Sequence, residues 1–203
     1  MRNSQAVKIL GKDFISPQEI EAAFEMKYTA EQLAMLEATV PGDEVLKWMV
    51  ANEFMLVAGP PTAMSLLDIC VKRPELFYAN GNDAWYNASE QKFVRNDKIG
   101  TAWLGLRKTI VPRSTSKMWN EQKALLSKKE RVPNAAEVTW GVIAYKLARD
   151  EFLLPSIYAR TNSVSVDDSH VSVGYFSVAC LSVVSYWSNP ILVTVGLAAA
   201  LKL

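Results

Sequence analysis

Apolar residues recur at helical spacing through the first 60 positions and give way, beyond residue 157, to the two-residue alternation of strands. Ser16-Pro17-Gln18-Glu19 reads as a helix start with Pro in the first turn, and Ile20, Ala23, Phe24 and Lys27 follow at helical spacing. Thr29-Ala30-Glu31-Gln32 predicts a second start, with Leu33, Leu36 and Val40 on one face. Pro41-Gly42-Asp43 resets the chain before a third helix over 44–52. Residues 54–58 form a short apolar run that ends at Gly59-Pro60-Pro61, and Thr62 or Ser65 then opens a helix to about Lys72. Residues 79–100 are polar and turn-rich. Trp103 to Arg107 reads as a strand, and Ser114 to Ser116 as the cap of a helix reaching about Lys128. The strongest helix start is Pro133-Asn134-Ala135-Ala136-Glu137: Asn134 can accept at the N-cap, and Glu137 stands three residues on, as in a capping box. Val138, Trp140, Ile143, Ala144, Leu147 and Ala148 then cover a broad apolar face to about Arg149. Strands are predicted over 157–164, 171–176, 181–187 and 191–199, with turns at Asp167-Asp168 and Asn189-Pro190. A helical first half and a strand-rich tail, without internal repeats, predict an α+β fold.

Composition narrows the function classes. With 203 residues, half of them hydrophobic, the chain suits one large domain or one domain with an elaborated N-terminal part. A net charge of +1 gives no basic field for phosphates, so nucleic acid is not an expected partner. One His and two Cys cannot build a zinc site of the usual kind, and a catalytic triad would have to use His170. Cys70 and Cys180 lie far apart and are expected as two thiols rather than a disulfide framework. The segment after Gly59-Pro60-Pro61 lacks the Gly-Lys-Ser/Thr of a phosphate loop, so an ordinary loop is expected there. The N-terminus has no apolar core of a secretory signal, which favours a cytoplasmic or virion-associated protein and makes the sequon pattern Asn87-Ala88-Ser89 a coincidence.

The tail has its own signature. From Ser169 to Leu201 there are 33 residues without Asp, Glu, Lys or Arg, long enough to raise a membrane anchor. Six serines, the turn Trp187-Ser188-Asn189-Pro190 and many β-branched residues argue for strands instead, and no membrane span is expected. From Asn162 to Leu201 there are also 40 residues without Lys, Glu, Gln or Met, although residues 1–161 hold 38 of them. Strand propensity alone is a strained cause for that break. Randomising the two adenines of an Asn codon yields pyrimidine-ended codons, which never encode Lys, Glu, Gln, Met or Trp. Trp187 would then be a fixed framework residue.

Two segments carry a resemblance. Arg131-Val132-Pro133-Asn134-Ala135-Ala136-Glu137-Val138-Thr139-Trp140 is similar to the Arg-Leu-Pro-Thr-x-Ala-Glu-Trp segment of C-type-lectin-fold proteins of the formylglycine-generating-enzyme type. Val173-Gly174-Tyr175-Phe176, Trp187-Ser188-Asn189-Pro190 and Val195-Gly196-Leu197-Ala198 resemble the variable C-terminal segment of diversity-generating retroelement target proteins. The resemblance covers about residues 100–203. It implies a C-type lectin-like fold, with a helical N-terminal region over 1–58, a lectin-like domain over 59–203, and a variable region at about 174–197. In such proteins, which are viral or prokaryotic, a reverse transcriptase rewrites a terminal cassette and the altered residues are displayed to bind ligands. The catalytic cysteines of formylglycine-generating enzymes and the Glu-Pro-Asn or Gln-Pro-Asp of sugar-binding lectins have no counterpart, so neither chemistry is implied.

A rewritten cassette must face outward, because core substitutions cost about 2–5 kcal/mol of a total of about 5–15. The expected ligand-binding set is Ser177, Val178, Ala179, Cys180, Ser182, Val184, Ser185, Tyr186, Ser188, Asn189, Pro190, Ile191, Leu192, Val193 and Thr194. The expected inward set is Tyr175, Leu181, Val183, Trp187, Val195 and Leu197, with Gly174 and Gly196 at backbone turns. No cofactor or metal is implied, and the expected partner is a protein or cell-surface molecule, with oligomerisation open. Two other classes compete. One is a membrane-anchored or oligomeric structural protein using the apolar tail. The other is a hydrolase around His170, which stands beside Asp167, Asp168 and Ser169.

Overall fold

Local hydrogen-bonding logic starts four of the helices. Ser16 Oγ accepts from the Glu19 backbone N–H while the Glu19 carboxylate accepts from Ser16 N–H at 2.8 Å. The same reciprocal pairing joins Thr29 to Gln32, Ser65 to Asp68 and Asn134 to Glu137. In the computed structural model, which describes residues 2–79, 84–186 and 192–203, the helices are α1 (Arg2–Leu10), α2 (Pro17–Phe24), α3 (Ala30–Thr39), α4 (Asp43–Ala51), α5 (Leu66–Lys72), α6 (Phe93–Asn96), α7 (Trp119–Lys123) and α8 (Ala135–Arg149). The strands are β1 (Phe14–Ile15), β2 (Phe54–Ala58), β3 (Met64–Ser65), β4 (Lys98–Ile99), β5 (Trp103–Arg107), β6 (Glu130–Arg131), β7 (Tyr158–Val164), β8 (His170–Ser177), β9 (Cys180–Tyr186), β10 (Val195–Leu197) and β11 (Ala200–Leu201). The protein is therefore α+β.

Three sheets order these strands. The first runs β1-β2-β5-β11-β6, the second β10-β7-β8-β9, and β3 pairs with β4. β2, which ends at Ala58, is paired along its whole length with β5. Between the two larger sheets the chain crosses at residues 197–201. Val111 N–H donates to the Leu197 carbonyl, Ala198 N–H to that of Arg160, and Arg107 N–H to that of Ala199. β11 then inserts between β5 and β6.

Helix α8 packs against α2, α5, β5, β7 and β8, and so touches both large sheets. Ten of its residues, from Ala135 to Tyr145, are buried. Trp140 is fully buried, donates its indole N–H to the Ala58 carbonyl at 3.0 Å, and stacks on Phe24 with centroids 4.2 Å apart. Burying a Trp is favourable only where its N–H finds an acceptor, and the end of β2 supplies one. The buried apolar residues form one cluster running from Ala6 to Leu201.

Three expectations are corrected. The helix predicted from Ser114–Ser116 to Lys128 shrinks to Trp119–Lys123. Ser114 is no cap: its buried hydroxyl donates to the Val111 carbonyl at 2.6 Å and accepts from Leu197 N–H at 2.9 Å, which braces β10. The strand predicted over 191–199 is reduced to Val195–Leu197, preceded by a turn at 193–194. Gly174 and Gly196 lie within strands rather than at turns. A Cβ on Gly174 would stand 2.1 Å from the Ile157 carbonyl oxygen, and one on Gly196 would stand 2.3 Å from Ile110 Cδ1, so close approach demands glycine at both.

The uncharged tail forms strands and loops, and no helix among the described residues is long and apolar enough to cross a membrane. Cys70 and Cys180 are not joined. Cys70 is buried near the Tyr86 hydroxyl, and the Cys180 thiol donates to the Glu75 carbonyl at 3.2 Å.

Candidate functional site

The β8–β9 hairpin is the part of the second sheet that carries most of the sequence-predicted set. Its register places His170 opposite Tyr186, Ser172 opposite Val184 and Gly174 opposite Ser182. Past Gly174 the register shifts, so Tyr175 and Phe176 together face Leu181 before Ser177 meets Cys180. Two residues against one is a β-bulge, and it reverses the alternation beyond it. Tyr175 therefore turns outward at 36% exposure with a φ of 48°, while Phe176 is fully buried. The expectation that Tyr175 points inward is overturned by that extra residue.

The other positions divide by strand parity except Ser185, which has the parity of Leu181 and Val183 but is partly exposed. Leu181 and Val183 are buried; Cys180, Ser182, Val184, Ser185 and Tyr186 are partly exposed. At the hairpin tip Ser177 is partly exposed, Ala179 is exposed, and Val178 is 92% exposed. Ala179 N–H donates to Ser177 Oγ at 3.2 Å, which closes the tip. After the second sheet's long hairpin, Leu192 and Thr194 are partly exposed, Val193 is 74% exposed, and Val195, Gly196 and Leu197 are buried. Trp187, Ser188, Asn189, Pro190 and Ile191 lie outside the described residues.

The outer face acquires an aromatic patch that the sequence reading did not include. Tyr158 stands opposite Gly174 on the neighbouring strand. Its ring lies 4.5 Å from that of Tyr175 and 5.8 Å from that of Tyr186, edge to face. Burial raises the phenol pKa of both Tyr158 and Tyr186, and the neighbouring tyrosines raise them further. The phenols of Tyr158 and Tyr186 are thus uncharged at neutral pH. Only Tyr186 was legible, because Tyr175 needs the bulge and Tyr158 lies well before the cassette.

Strand β9 is held from outside. Tyr78 N–H donates to the Leu181 carbonyl at 2.9 Å, Phe77 bridges Leu181, and the Trp85 indole N–H donates to the Val183 carbonyl at 2.8 Å. These bonds use backbone groups of β9, so they hold whatever side chains it carries.

The candidate acid–base cluster is not assembled. Asp167 accepts hydrogen bonds from the Ser165 and Ser169 hydroxyls, the latter at 3.1 Å, within its own turn. His170 instead stacks on Trp119 with centroids 3.7 Å apart. Burial first, then the charges of Arg160 and Lys123, push its imidazole down to about 4, against the backbone of Ser163 and Thr161. The ring is therefore neutral at pH 7. Among the described residues no group of three or more His, Cys, Asp or Glu is placed to hold a metal ion.

A separate cleft of about 550 Å³ lies between α3, β5 and the chain's last residues, with Arg131 and Glu137 ion-paired at its edge. In comparison with known proteins, no family model, no curated protein and no solved structure matches the chain.

Proposed function

We propose that this chain is a non-catalytic display protein of C-type lectin-like architecture, whose terminal hairpin and following loop present retroelement-diversified residues to a protein or cell-surface ligand. The observation that carries the reading is the placement of the cassette. All eleven of its described residues are exposed or partly exposed, while Gly174, Leu181, Val183, Val195, Gly196 and Leu197 between and beside them are buried. A surface can be rewritten only if its neighbours hold the fold, and the backbone bonds to β9 supply that independence. Tyr158, Tyr175 and Tyr186 give this variant an aromatic patch, and Val178 and Val193 add exposed apolar side chains. Rigid aromatic area is what interface anchors require, with Tyr186 the best single anchor.

The test is genetic. DNA downstream of the reading frame should hold a near-copy of the last ~100 bases that differs only at adenines of the copy, followed by a reverse-transcriptase frame. Sister genes differing elsewhere in the chain but not at the cassette would defeat the reading.

A further inference from the structure

The second sheet buries a cation without an anion. Arg160, on β7, is 1% exposed. Its Nη1 donates to Gln122 Oε1 at 3.1 Å, its Nε is buried without a partner, and no carboxylate pairs with it among the described residues. Gln122 is itself fully buried, and its amide N–H groups are committed to the carbonyls of Ser114 at 2.7 Å and Val195 at 3.3 Å. Its oxygen is thereby fixed toward the guanidinium.

Two more unpartnered polar atoms share that face. Ser172 stands directly opposite Arg160 in the β7–β8 register, so the two side chains point to the same side. Ser172 is fully buried and its Oγ has no partner. His170 is two residues earlier on β8, again on that side, and its buried Nδ1 has no partner. Trp119 closes over the His170 ring, and Lys123 lies 5.2 Å from the centroid of Trp119. The nearby charges, Arg160 and Lys123, are both positive, and burial alone lowers the Arg160 pKa.

A guanidinium remains charged in a protein, and one hydrogen bond to a neutral amide does not offset its removal from water. We propose that Arg160 Nε and Ser172 Oγ, beside the His170 ring, form an internal site for one small monovalent anion, a halide or a formate-sized carboxylate. The anion takes the Nε–H of Arg160 and the hydroxyl hydrogen of Ser172, beside the neutral His170 ring. Charge-assisted bonds of this kind exceed neutral ones in strength. The site does not depend on the display reading: its residues stand before the cassette in sequence, and Val184 and Tyr186 flank them on the same sheet face.

The experiment uses the full chain at fixed ionic strength. Bromide, chloride and formate each replace gluconate, a bulkier anion, while Tm and Trp fluorescence are followed. The expected result is a rise in Tm that grows with the logarithm of anion concentration and reaches about 5–10 °C at one hundred times Kd, with a saturating change in Trp119 emission. Arg160→Met should remove the saturating response, and Ser172→Ala should weaken apparent affinity several-fold. Should Arg160→Met fail to fold, bromide-soaked crystals of the unaltered chain decide, with an anomalous peak expected within hydrogen-bond distance of Arg160 Nε. Formate acting without bromide would assign the site to carboxylates, and both acting would assign it to small anions generally. A response that is linear in salt, with no anomalous peak at Arg160, overturns the proposal.

Discussion

Gly174→Ala separates a framework that must not change from a surface that can. The added Cβ would sit 2.1 Å from the Ile157 carbonyl oxygen and 2.8 Å from Tyr158 Cα, both of them backbone atoms that no rotamer change can move. Strand β8 must recede from residue 157 by about 1 Å or more to reach ordinary contact. The Tyr175 N–H bond to that same carbonyl, now 3.1 Å, would be lost with it. Overpacking costs about 1–3 kcal/mol and the lost hydrogen bond about 0.5–1.5, so a net loss of about 2–4 kcal/mol is expected. For a chain of this size that is a fall in Tm of about 5–15 °C. Calorimetry or urea denaturation reads it, with Val178→Ser and Val193→Ser as controls. Both controls replace side chains that are largely in water, and each should stay within about 0.5 kcal/mol of the parent. Gly174→Ala at parental stability, or controls that fall as far as it does, would refute the division of the hairpin into fixed and free positions.

Other expectations follow from the same contacts. Asn134→Ala removes the acceptor for Glu137 N–H and the donor to the Lys98 carbonyl, and should cost about 1–2 kcal/mol in denaturant titrations. Trp140→Ala empties a fully buried site and leaves the Ala58 carbonyl without its donor; a loss of about 3–5 kcal/mol, or failure to fold, is expected in expression and melting assays. His170 has its pKa lowered from 6.5 to about 4, so the unfolded chain binds the extra proton first as pH falls. Stability should therefore be full above pH 6.5 and decline toward pH 4, by about 2–3 kcal/mol from this group. In gluconate buffers, subtracting the pH–stability curve of His170→Gln from that of the parent isolates this slope. A flat difference between pH 6.5 and 4 would refute it.

What was legible in the sequence was what is encoded locally. The capping pairs at Ser16, Thr29 and Asn134 each place a side-chain acceptor three residues before its backbone donor, and all three open helices where expected. The strong alternation of Leu181 and Val183 against Ser182 and Val184 likewise survives in β9. What was hidden depends on distant partners. β1, β3, β4, β6 and β11 have two residues each, too few to show a period. Ser114 has the chemistry of a cap but spends it on Leu197, 83 residues away. Tyr175 was misplaced because alternation assumes no inserted residue, and the bulge at that point is fixed by pairing with Leu181. Arg160 is the last Arg or Lys before Lys202, which could have singled it out. Its burial could not be read, because a cation in a strand ordinarily reaches water.

The placement of β11 makes the first sheet depend on residues that follow the β8–β9 hairpin. Residues 200–201 lie in the interior of the first sheet, between strands that begin about 100 and 70 positions earlier, and Lys202 N–H bonds to the Lys129 carbonyl. That sheet stays incomplete until codons 200 and 201 have been translated. A stop codon or a shifted reading frame anywhere in residues 177–194 would delete the strand that seals it, whereas a simple replacement there would leave it untouched. A chain that lacks residues 200–201 therefore leaves β5 and β6 unjoined in that sheet.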